Sequence, residues 1–386
     1  MTSPTAVPPR YGSASLADLV PSLMHALGVS GFDGVLQIEP CARACLLLID
    51  GLGFEQVRSH TREAPFLASL LASSQPLTSG FPSSTAVSLS SLGTGRTPGD
   101  HGIVGFTMAV PGYDRSVNML RWSLHGGSSR DLIEEMVPER FQDQPTAFER
   151  AAAAGVEVTL VGPVQLAHTG LTRAVFRGGR YRNAFSLGDL AAETVAALRE
   201  GPRSFVYAYH AELDGTGHVR GVDSDAWRLH LGHVDRLAAD VASSLPPDTV
   251  LVVSGDHGMV DVPPSGRYDT ARHPELRHGV RFLGGEPRAR HVYAEPGAKA
   301  EVLAAWRELL GDSMWILTRE EAIAAGWFGP TVPDRVRPRI GDVVAAAHQP
   351  VGVTEQEVFK LEALLIGHHG SLTPDEQLVP FFLVRS

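Results

Sequence analysis

The sequence of 386 residues contains only two cysteines, Cys41 and Cys45. This number excludes a disulfide framework and any cysteine-rich zinc or iron–sulfur site. No apolar run approaches the ~20 residues that a membrane-spanning helix needs. Residues 1–30 also lack the continuous apolar core of a secretory signal. We therefore expect a cytoplasmic protein with no membrane segment.

Basic residues are fewer than acidic ones. The chain has 33 lysines and arginines and 43 aspartates and glutamates, which gives a net charge of −10. This balance argues against a surface that coats nucleic acid, which needs a basic footprint. The chain lacks a G-x-x-x-x-G-K-[ST] phosphate loop, a G-x-S-x-G nucleophile elbow and an H-E-x-x-H helix. With 43% hydrophobic and 20% charged residues, the composition is that of an ordinary globular protein.

Three continuous apolar runs, each closed by a polar residue, indicate buried parallel strands. They are residues 44–49, 204–209 and 249–254. Helical spacing of apolar residues over about 223–245 places a helix between the last two runs. Strands that alternate with helices predict an α/β fold with a large, mostly parallel sheet and helices on both faces.

The chain organisation predicts one large domain rather than several. Residues 1–30 read as an N-terminal tail with short helices broken at Pro21, and 31–386 as the catalytic domain. Within that domain, residues 262–350 are rich in Pro, Gly and Arg and contain strand-like and helix-like pieces of their own. We interpret this stretch as an inserted, small cap. The last strand is predicted over Leu378–Val384.

Carboxylates and imidazoles follow the three apolar runs, at the edge where parallel sheets bind ligands. The candidates are Asp50, Asp214 with His218, Asp256 with His257, and a histidine of the Gly367–Gly370 turn. Three aspartates and three histidines without a thiolate suit Zn²⁺, with Mn²⁺ or Fe as alternatives. Six ligands are twice what one catalytic zinc takes, so they fit a pair of ions about 3.5–4 Å apart.

A hydroxyl-rich segment offers a nucleophile near these residues. Gly80-Phe81-Pro82 leads through Ser83, Ser84 and Thr85 into a predicted helix over 85–92. A hydroxyl at the first turn of a helix lies beside backbone donors that suit an anionic oxygen, although simple N-capping is the alternative explanation.

The ordered set of motifs resembles the alkaline phosphatase superfamily, and within it the nucleotide pyrophosphatase/phosphodiesterase branch. The motifs are Leu48-Ile49-Asp50-Gly51, Phe81-Pro82-Ser83-Ser84-Thr85, His101-Gly102-Ile103-Val104-Gly105, Asp214-x₃-His218, Gly255-Asp256-His257-Gly258-Met259 and His369-Gly370. The resemblance implies one metal held by Asp214, His218 and His369. It implies a second held by Asp50, Asp256 and His257, with Thr85 as a further ligand and Ser84 as the alternative to Thr85. His369 is preferred to its neighbour His368 because the family's histidine directly precedes glycine.

By the same resemblance, the reaction is a two-metal phosphoryl transfer through a phosphothreonine on Thr85. The expected substrate is a small anionic phosphate ester, either a diester or a nucleotide pyrophosphate. Two departures from the family pattern put nucleotide specificity in question, because Ala86 follows Thr85 and Phe106 replaces the phosphoryl-binding asparagine of the family. The alternatives are a phosphomonoesterase or phosphonate hydrolase on the same metal core, and an inactive binding protein.

Five further residues are candidate substrate contacts. Phe106 would form a neutral wall, Asn118 and Arg121 would replace the missing donor, and Tyr209 would stack on the substrate. His210 is either a rival ligand or a substrate contact.

Overall fold

The computed structural model describes residues 6–127 and 130–386. In chain order the strands are β1 (Arg43–Ile49), β2 (Leu77–Thr78), β3 (Thr107–Met108), β4 (Val117–Asn118), β5 (Ser123–Leu124), β6 (Glu157–Gly162), β7 (Arg180–Asn183), β8 (Ser204–His210), β9 (Thr249–Gly255), β10 (Val260–Asp261), β11 (Arg267–Asp269), β12 (Val280–Glu286), β13 (Ala289–Ala294), β14 (Met314–Thr318), β15 (Val343–Ala347), β16 (Gly352–Thr354), β17 (Gly367–His368), β18 (Leu378–Val379) and β19 (Phe382–Arg385).

The α-helices are α1 (Leu16–Ala26), α2 (Phe54–Ser59), α3 (Pro65–Ser69), α4 (Thr85–Thr94), α5 (Pro98–His101), α6 (Pro138–Phe141), α7 (Ala147–Ala153), α8 (Gly170–Val175), α9 (Leu187–Leu198), α10 (Glu212–Arg220), α11 (Asp225–Ser243), α12 (Lys299–Leu310), α13 (Arg319–Ala324) and α14 (Pro374–Gln377). Across the described ranges, no helix combines the length and the apolar character needed to cross a bilayer.

The central sheet has six strands in the order β19-β9-β1-β8-β6-β7. All neighbours are parallel except β19, which pairs antiparallel with β9 at one edge. The three apolar runs form the adjacent strands β9, β1 and β8, each buried along almost its whole length. The predicted α/β fold with a large, mostly parallel sheet is therefore confirmed.

The two-residue period of the strands divides their side chains between two apolar cores. On β1, Ala44, Leu46 and Leu48 join the core that contains α1, α4, α7 and α8. Cys45, Leu47 and Ile49 join the core on the other face, which contains α9 and α11. Odd-numbered and even-numbered side chains of a strand therefore point to opposite faces of the sheet. The same alternation on β8 places Tyr209 and His210 on opposite faces.

A second, antiparallel sheet with strand order β12-β13-β15-β14 lies within the predicted insertion. Its strands and α12 form a core of their own around Val292, Trp306 and Val343. Alternate residues of β15, Val344 and Ala346, join the core of the central sheet instead. The second sheet thus packs onto the first, and the boundaries 1–30 and 262–350 stay predictions.

Two predictions of secondary structure were wrong, and both concern segments that contain a proline. The expected strand over Leu378–Val384 is divided, because β18 pairs with β2 whereas β19 pairs with β9. Pro380 lies between them and has no N–H to donate to a ladder. The predicted break at Pro21 does not occur, since α1 continues through it. Leu19, Val20 and Leu23 of this helix are fully buried, and this packing outweighs the local cost of the proline.

Candidate active site

Asp50, Asp256 and His257 come together where β1 and β9 end side by side. His257 Nε2 lies 3.5 Å from Asp50 Oδ1 and 3.5 Å from Asp256 Oδ2. His257 Nδ1 donates to the carbonyl of Gly258 over 3.0 Å, so the proton resides on Nδ1 and Nε2 carries the lone pair. All three side chains are buried.

Asp214, His218 and His369 form the neighbouring group. Asp214 and His218, the two residues of the D-x₃-H motif, both lie on α10. His218 Nε2 is 3.3 Å from Asp214 Oδ2. His218 Nδ1 donates to the carbonyl of Gly367 over 2.7 Å, and His369 Nδ1 donates to that of Ser83 over 2.8 Å. In both histidines these hydrogen bonds leave the lone pair on Nε2. The ring of His369 stacks on the ring of His257 in the first group, with the ring centroids 3.6 Å apart.

The two groups fit divalent ions for a physical reason beyond residue type. Asp50 Oδ1, Asp256 Oδ2 and Asp214 Oδ1 are buried and have no hydrogen-bond partner in the described part of the chain. Each of these oxygens instead faces an imidazole Nε2 at 3.5–4.0 Å. Ligands about 2.0–2.2 Å from a tetrahedral ion are separated by about 3.3–3.6 Å. Oxygen and nitrogen lone pairs at this spacing repel each other unless a cation lies between them.

Thr85 begins α4, and its hydroxyl adjoins the first group. Thr85 Oγ1 is 3.1 Å from His257 Nε2, and the residue is 8% exposed. The first backbone N–H groups of a helix have no partners within the helix, and its dipole favours an anion there. The hydroxyl therefore lies at a position where backbone N–H groups and the helix dipole would stabilise an anionic oxygen.

Burial controls the titration of the acids in this region. It raises the pKa of Asp50 well above its ordinary value, and the charges of Asp256 and Asp214 raise that pKa further. Burial also raises the pKa of Asp256. At Glu286, on the end of β12, burial raises the pKa to about 8 although a hydrogen bond from Ser84 opposes the shift. In the absence of cations this cluster resists ionisation, which is the expected state of an acidic site built for metal ions.

Asp50 of the first group, Thr85 and all three residues of the second group line one cavity of about 370 Å³. Much of its lining is apolar and aromatic, and most of these residues lie on or next to α4, β6, β7, β8 and α8. No lysine or arginine of the described residues lines the cavity. The residues of this apolar wall include Leu89, Leu160, Leu166, Leu171, Phe176, Tyr181, Tyr207 and Tyr209, together with Phe106, Phe359 and Leu365.

Of the five predicted substrate contacts, Phe106 and Tyr209 line the cavity. Tyr209 does not stack freely, because its hydroxyl donates to Asp50 Oδ2 and so orients a proposed ligand. Asn118, Arg121 and His210 are not among the cavity-lining residues, and their role as substrate contacts stays a prediction.

Local structure explains the three exceptions. Asn118 Oδ1 accepts hydrogen bonds from the backbone N–H groups of Leu120 and Arg121, at 3.0 Å and 2.9 Å, and closes a turn that leaves Arg121 exposed. His210 follows Tyr209 on β8 and therefore points to the opposite face, where it contacts His230 of α11.

Glu286, His368 and Phe359 line the cavity and were not predicted as site residues. The family resemblance favoured His369 over its neighbour His368 as the metal ligand. His368 lines the cavity next to the second group. Glu286 and Phe359 lie outside every motif of the sequence. The composition of residues 262–350 indicated an insertion, but no pattern within it predicted that the end of β12 would line the same cavity as Thr85.

Comparison with known proteins agrees with this geometry. Residues 44–372 match the family described as type I phosphodiesterase / nucleotide pyrophosphatase. Phosphopentomutase from Shewanella frigidimarina (strain NCIMB 400) is 26% identical over 157 residues, 40% of this chain and 36% of that protein. The enzyme of the same name from Anaeromyxobacter dehalogenans (strain 2CP-C) is 27% identical over 172 residues, 44% of this chain and 42% of that protein. The chain thus spans less than half the length of these curated relatives.

Solved structures share the fold over most of the chain. Murine ectonucleotide pyrophosphatase / phosphodiesterase 5, an inactive threonine-to-alanine variant in complex with AMP, superposes with a TM-score of 0.67 at 16% identity, covering 89% of this chain and 87% of that one. Phosphonoacetate hydrolase from Sinorhizobium meliloti 1021, in complex with phosphonoformate, gives a TM-score of 0.65 at 20% identity, covering 90% of each chain. At these identities the likeness establishes the fold alone.

Proposed function

Since the chain belongs to the type I phosphodiesterase / nucleotide pyrophosphatase family, we propose that it is a two-metal hydrolase of phosphate diesters that forms a phosphothreonine on Thr85. The observation that carries the choice of a diester is the cavity, which meets both metal-binding groups yet has no lysine or arginine among its described lining residues. A diester carries one negative charge and a second organic group, and a neutral wall suits both. The terminal phosphate of a monoester carries more charge and needs further cationic donors.

The absence of lysine and arginine from the described cavity lining also argues against the more highly charged substrates suggested by the names of the similar proteins. Phosphopentomutase acts, by its name, on a phosphorylated pentose, and phosphonoacetate carries a carboxylate beside its phosphonate. A nucleotide pyrophosphate carries a second charged phosphate. Each of these would bring an extra negative charge into a cavity with no lysine or arginine among its described lining residues. We therefore rank the diester first.

The proposed ligands are Asp50, Asp256 and His257 for one ion, with Thr85 joining them, and Asp214, His218 and His369 for the other. Divalent ions bound there, which we expect to be Zn²⁺, would supply Lewis acidity and neutralise charge on the phosphoryl group. The backbone carbonyls of Gly258, Gly367 and Ser83 fix the tautomer of the three histidines and so present Nε2 to the ions.

In the proposed reaction the Oγ1 atom of Thr85 attacks phosphorus. A bond from Thr85 oxygen to phosphorus forms, and the bond from phosphorus to one ester oxygen breaks and releases an alcohol. Water then cleaves the phosphothreonine, and the hydroxyl of Thr85 is regenerated. Throughout, the first turn of α4 presents backbone N–H groups beside Thr85, and the apolar wall keeps bulk water away from the released group. Inactivation of the murine neighbour by a threonine-to-alanine change supports a threonine in this role.

The test compares Thr85→Ala with Ser84→Ala, a matched change at the adjacent buried hydroxyl. We expect Thr85→Ala to lower kcat on bis-p-nitrophenyl phosphate by about 10³ or more, because the nucleophile is lost. Ser84→Ala should keep activity within about tenfold. Near wild-type turnover by Thr85→Ala with its metal still bound would show that Thr85 is not the nucleophile.

The substrate class is tested on wild-type protein with a panel of four compounds, with and without a chelator. The compounds are bis-p-nitrophenyl phosphate, p-nitrophenyl phosphate, a dinucleotide and a phosphonate ester. We expect the diester to be cleaved fastest and chelation to abolish the activity. Preference for the monoester would overturn the diester assignment, and equal rates after chelation, with no metal in the protein, would overturn the metal assignment.

A further inference from the structure

A third group of metal-binding side chains lies outside the cavity, on the opposite face of the central sheet. It consists of His210 at the end of β8, Glu212 at the start of α10 and His230 in the second turn of α11. None of the three lines the cavity. We propose that they form a separate binding site for one divalent transition-metal ion of the Zn²⁺ class, independent of the proposed hydrolysis.

The geometry of the potential ligand atoms supports this site. His210 Nε2 lies 2.8 Å from His230 Nε2 and 3.3 Å from Glu212 Oε2, and the three atoms are mutually within 4.8 Å. The two imidazole rings are parallel to within 3° and their centroids are 5.1 Å apart. His210 Nε2 and Glu212 Oε2 have the separation of neighbouring ligands on a tetrahedral ion, whereas the two Nε2 atoms are about 0.5 Å closer than such ligands. Binding of an ion would therefore move the two rings apart by about that distance and form a three-ligand site of the His₂Glu type, in which a further position stays open.

The chemical state of the two rings is the one that binds metal. Burial and the neighbouring His230 lower the pKa of His210 to about 4, and burial also lowers the pKa of His230. Both rings are therefore neutral at pH 7, and neutral imidazole is the form that coordinates a metal ion. His210 is 5% exposed, while the Glu212 side chain is 70% exposed, so an ion could enter from solvent on the carboxylate side.

The position of the group gives the ion a consequence for the fold. The three ligands belong to three consecutive elements, β8, α10 and α11, of which α10 also carries Asp214 and His218. A bound ion would connect the first turn of α10 to the second turn of α11. It would thereby fix, from the outer face, the helix that presents two proposed ligands to the cavity.

The test counts the ions bound by each full-length protein after metal removal and equilibrium dialysis against buffered Zn²⁺. The variants are His230→Gln and Glu212→Gln. The matched control is His233→Gln, which changes an exposed histidine one turn further along the same helix and outside the group. We expect the wild type and the control to bind one more ion per chain than His230→Gln. Glu212→Gln should weaken binding of that ion at least about tenfold.

The result remains informative whatever happens at the cavity. If the proposed catalytic ions do not bind, the total falls in every protein, but the difference of one ion persists. Circular dichroism of the metal-free proteins verifies that the variants fold, and His210→Gln replaces His230→Gln if the latter does not. Equal ion counts for the wild type, His233→Gln and a folded His230→Gln or His210→Gln would overturn the proposal and leave an ordinary histidine–histidine hydrogen bond.

Discussion

Replacing Glu286 by glutamine should change how the stability of the metal-free protein depends on pH. Glu286 is 5% exposed, its Oε1 atom has no partner among the described residues, and burial raises its pKa to about 8. The native state therefore favours the neutral acid, whereas the unfolded chain ionises at the ordinary value of 4.5. Glutamine has nearly the shape of the protonated acid and cannot ionise.

The sign follows from proton linkage. The folded pKa lies above the unfolded pKa, so the contribution of Glu286 to stability is fully present below about pH 4.5 and is lost as the pH rises to about 8. Each pKa unit corresponds to about 1.4 kcal/mol. The interval of about 3.5 units sets an upper limit of about 5 kcal/mol on the advantage that Glu286→Gln gains at high pH.

Urea unfolding in the presence of a chelator, at intervals from pH 5 to pH 8.5, measures this advantage. We expect the free energy of unfolding of Glu286→Gln to exceed that of wild type by an amount that grows by at least about 2 kcal/mol over this range. Glu357→Gln, a change at an exposed glutamate, controls for the substitution itself and should show a constant difference. Parallel pH profiles for wild type and Glu286→Gln would refute the reasoning.

Three further changes test other parts of the structure by the same unfolding assay. Zn²⁺ returned to the chelated protein at 100 times its dissociation constant should stabilise it by about 2.7 kcal/mol per independent site, and no shift in the midpoint would argue against metal binding by the folded state. Tyr207→Phe should stabilise the free protein by about 1 kcal/mol or more, since the Tyr207 hydroxyl is buried without a partner among the described residues; destabilisation would reveal a bond to that hydroxyl. Arg288→Met should cost about 3–5 kcal/mol by leaving Glu376 buried and unpaired, whereas Arg288→Met with Glu376→Gln should recover much of this loss.

The positions of the proposed ligands could be predicted because they depend on local sequence and one general rule. Asp50 and Asp256 directly follow continuous apolar runs, and parallel strands in one sheet end at the same edge. Asp214 and His218 needed only the four-residue spacing of a helix. The family resemblance was necessary for His369, because either histidine of its turn satisfied the residue chemistry.

The orientation of His210 away from the cavity could have been predicted from the sequence. The apolar residues of β8 alternate, so that Tyr207 and Tyr209 face one core and Val206 and Ala208 face the other. His210 continues the second series and cannot share a face with Tyr209.

Glu286 and the apolar wall could not be predicted, because no local pattern brings them to Thr85. The wall combines residues from five elements spread over residues 85–209, and Glu286 arrives on a strand of the second sheet. Contacts of this kind depend on how the second sheet packs onto the central one, through residues such as Val344 and Ala346. Periodicity indicates that such strands are buried but leaves their neighbours undetermined.

The charge of the cavity, rather than the net charge of the chain, determines which substrate the site suits. Three aspartates bring a charge of −3, two divalent ions would bring +4, and Glu362 is paired with Arg290 at 2.7 Å. Glu286, whose pKa burial raises to about 8 in the metal-free protein, is counted as protonated. One positive charge would then remain, and a diester would neutralise it. A monoester dianion would leave an uncompensated negative charge against an apolar wall, which is costly at low dielectric. A clear preference for diesters that disappears when an arginine is introduced at Leu166, on the cavity wall, would show that this balance sets the specificity.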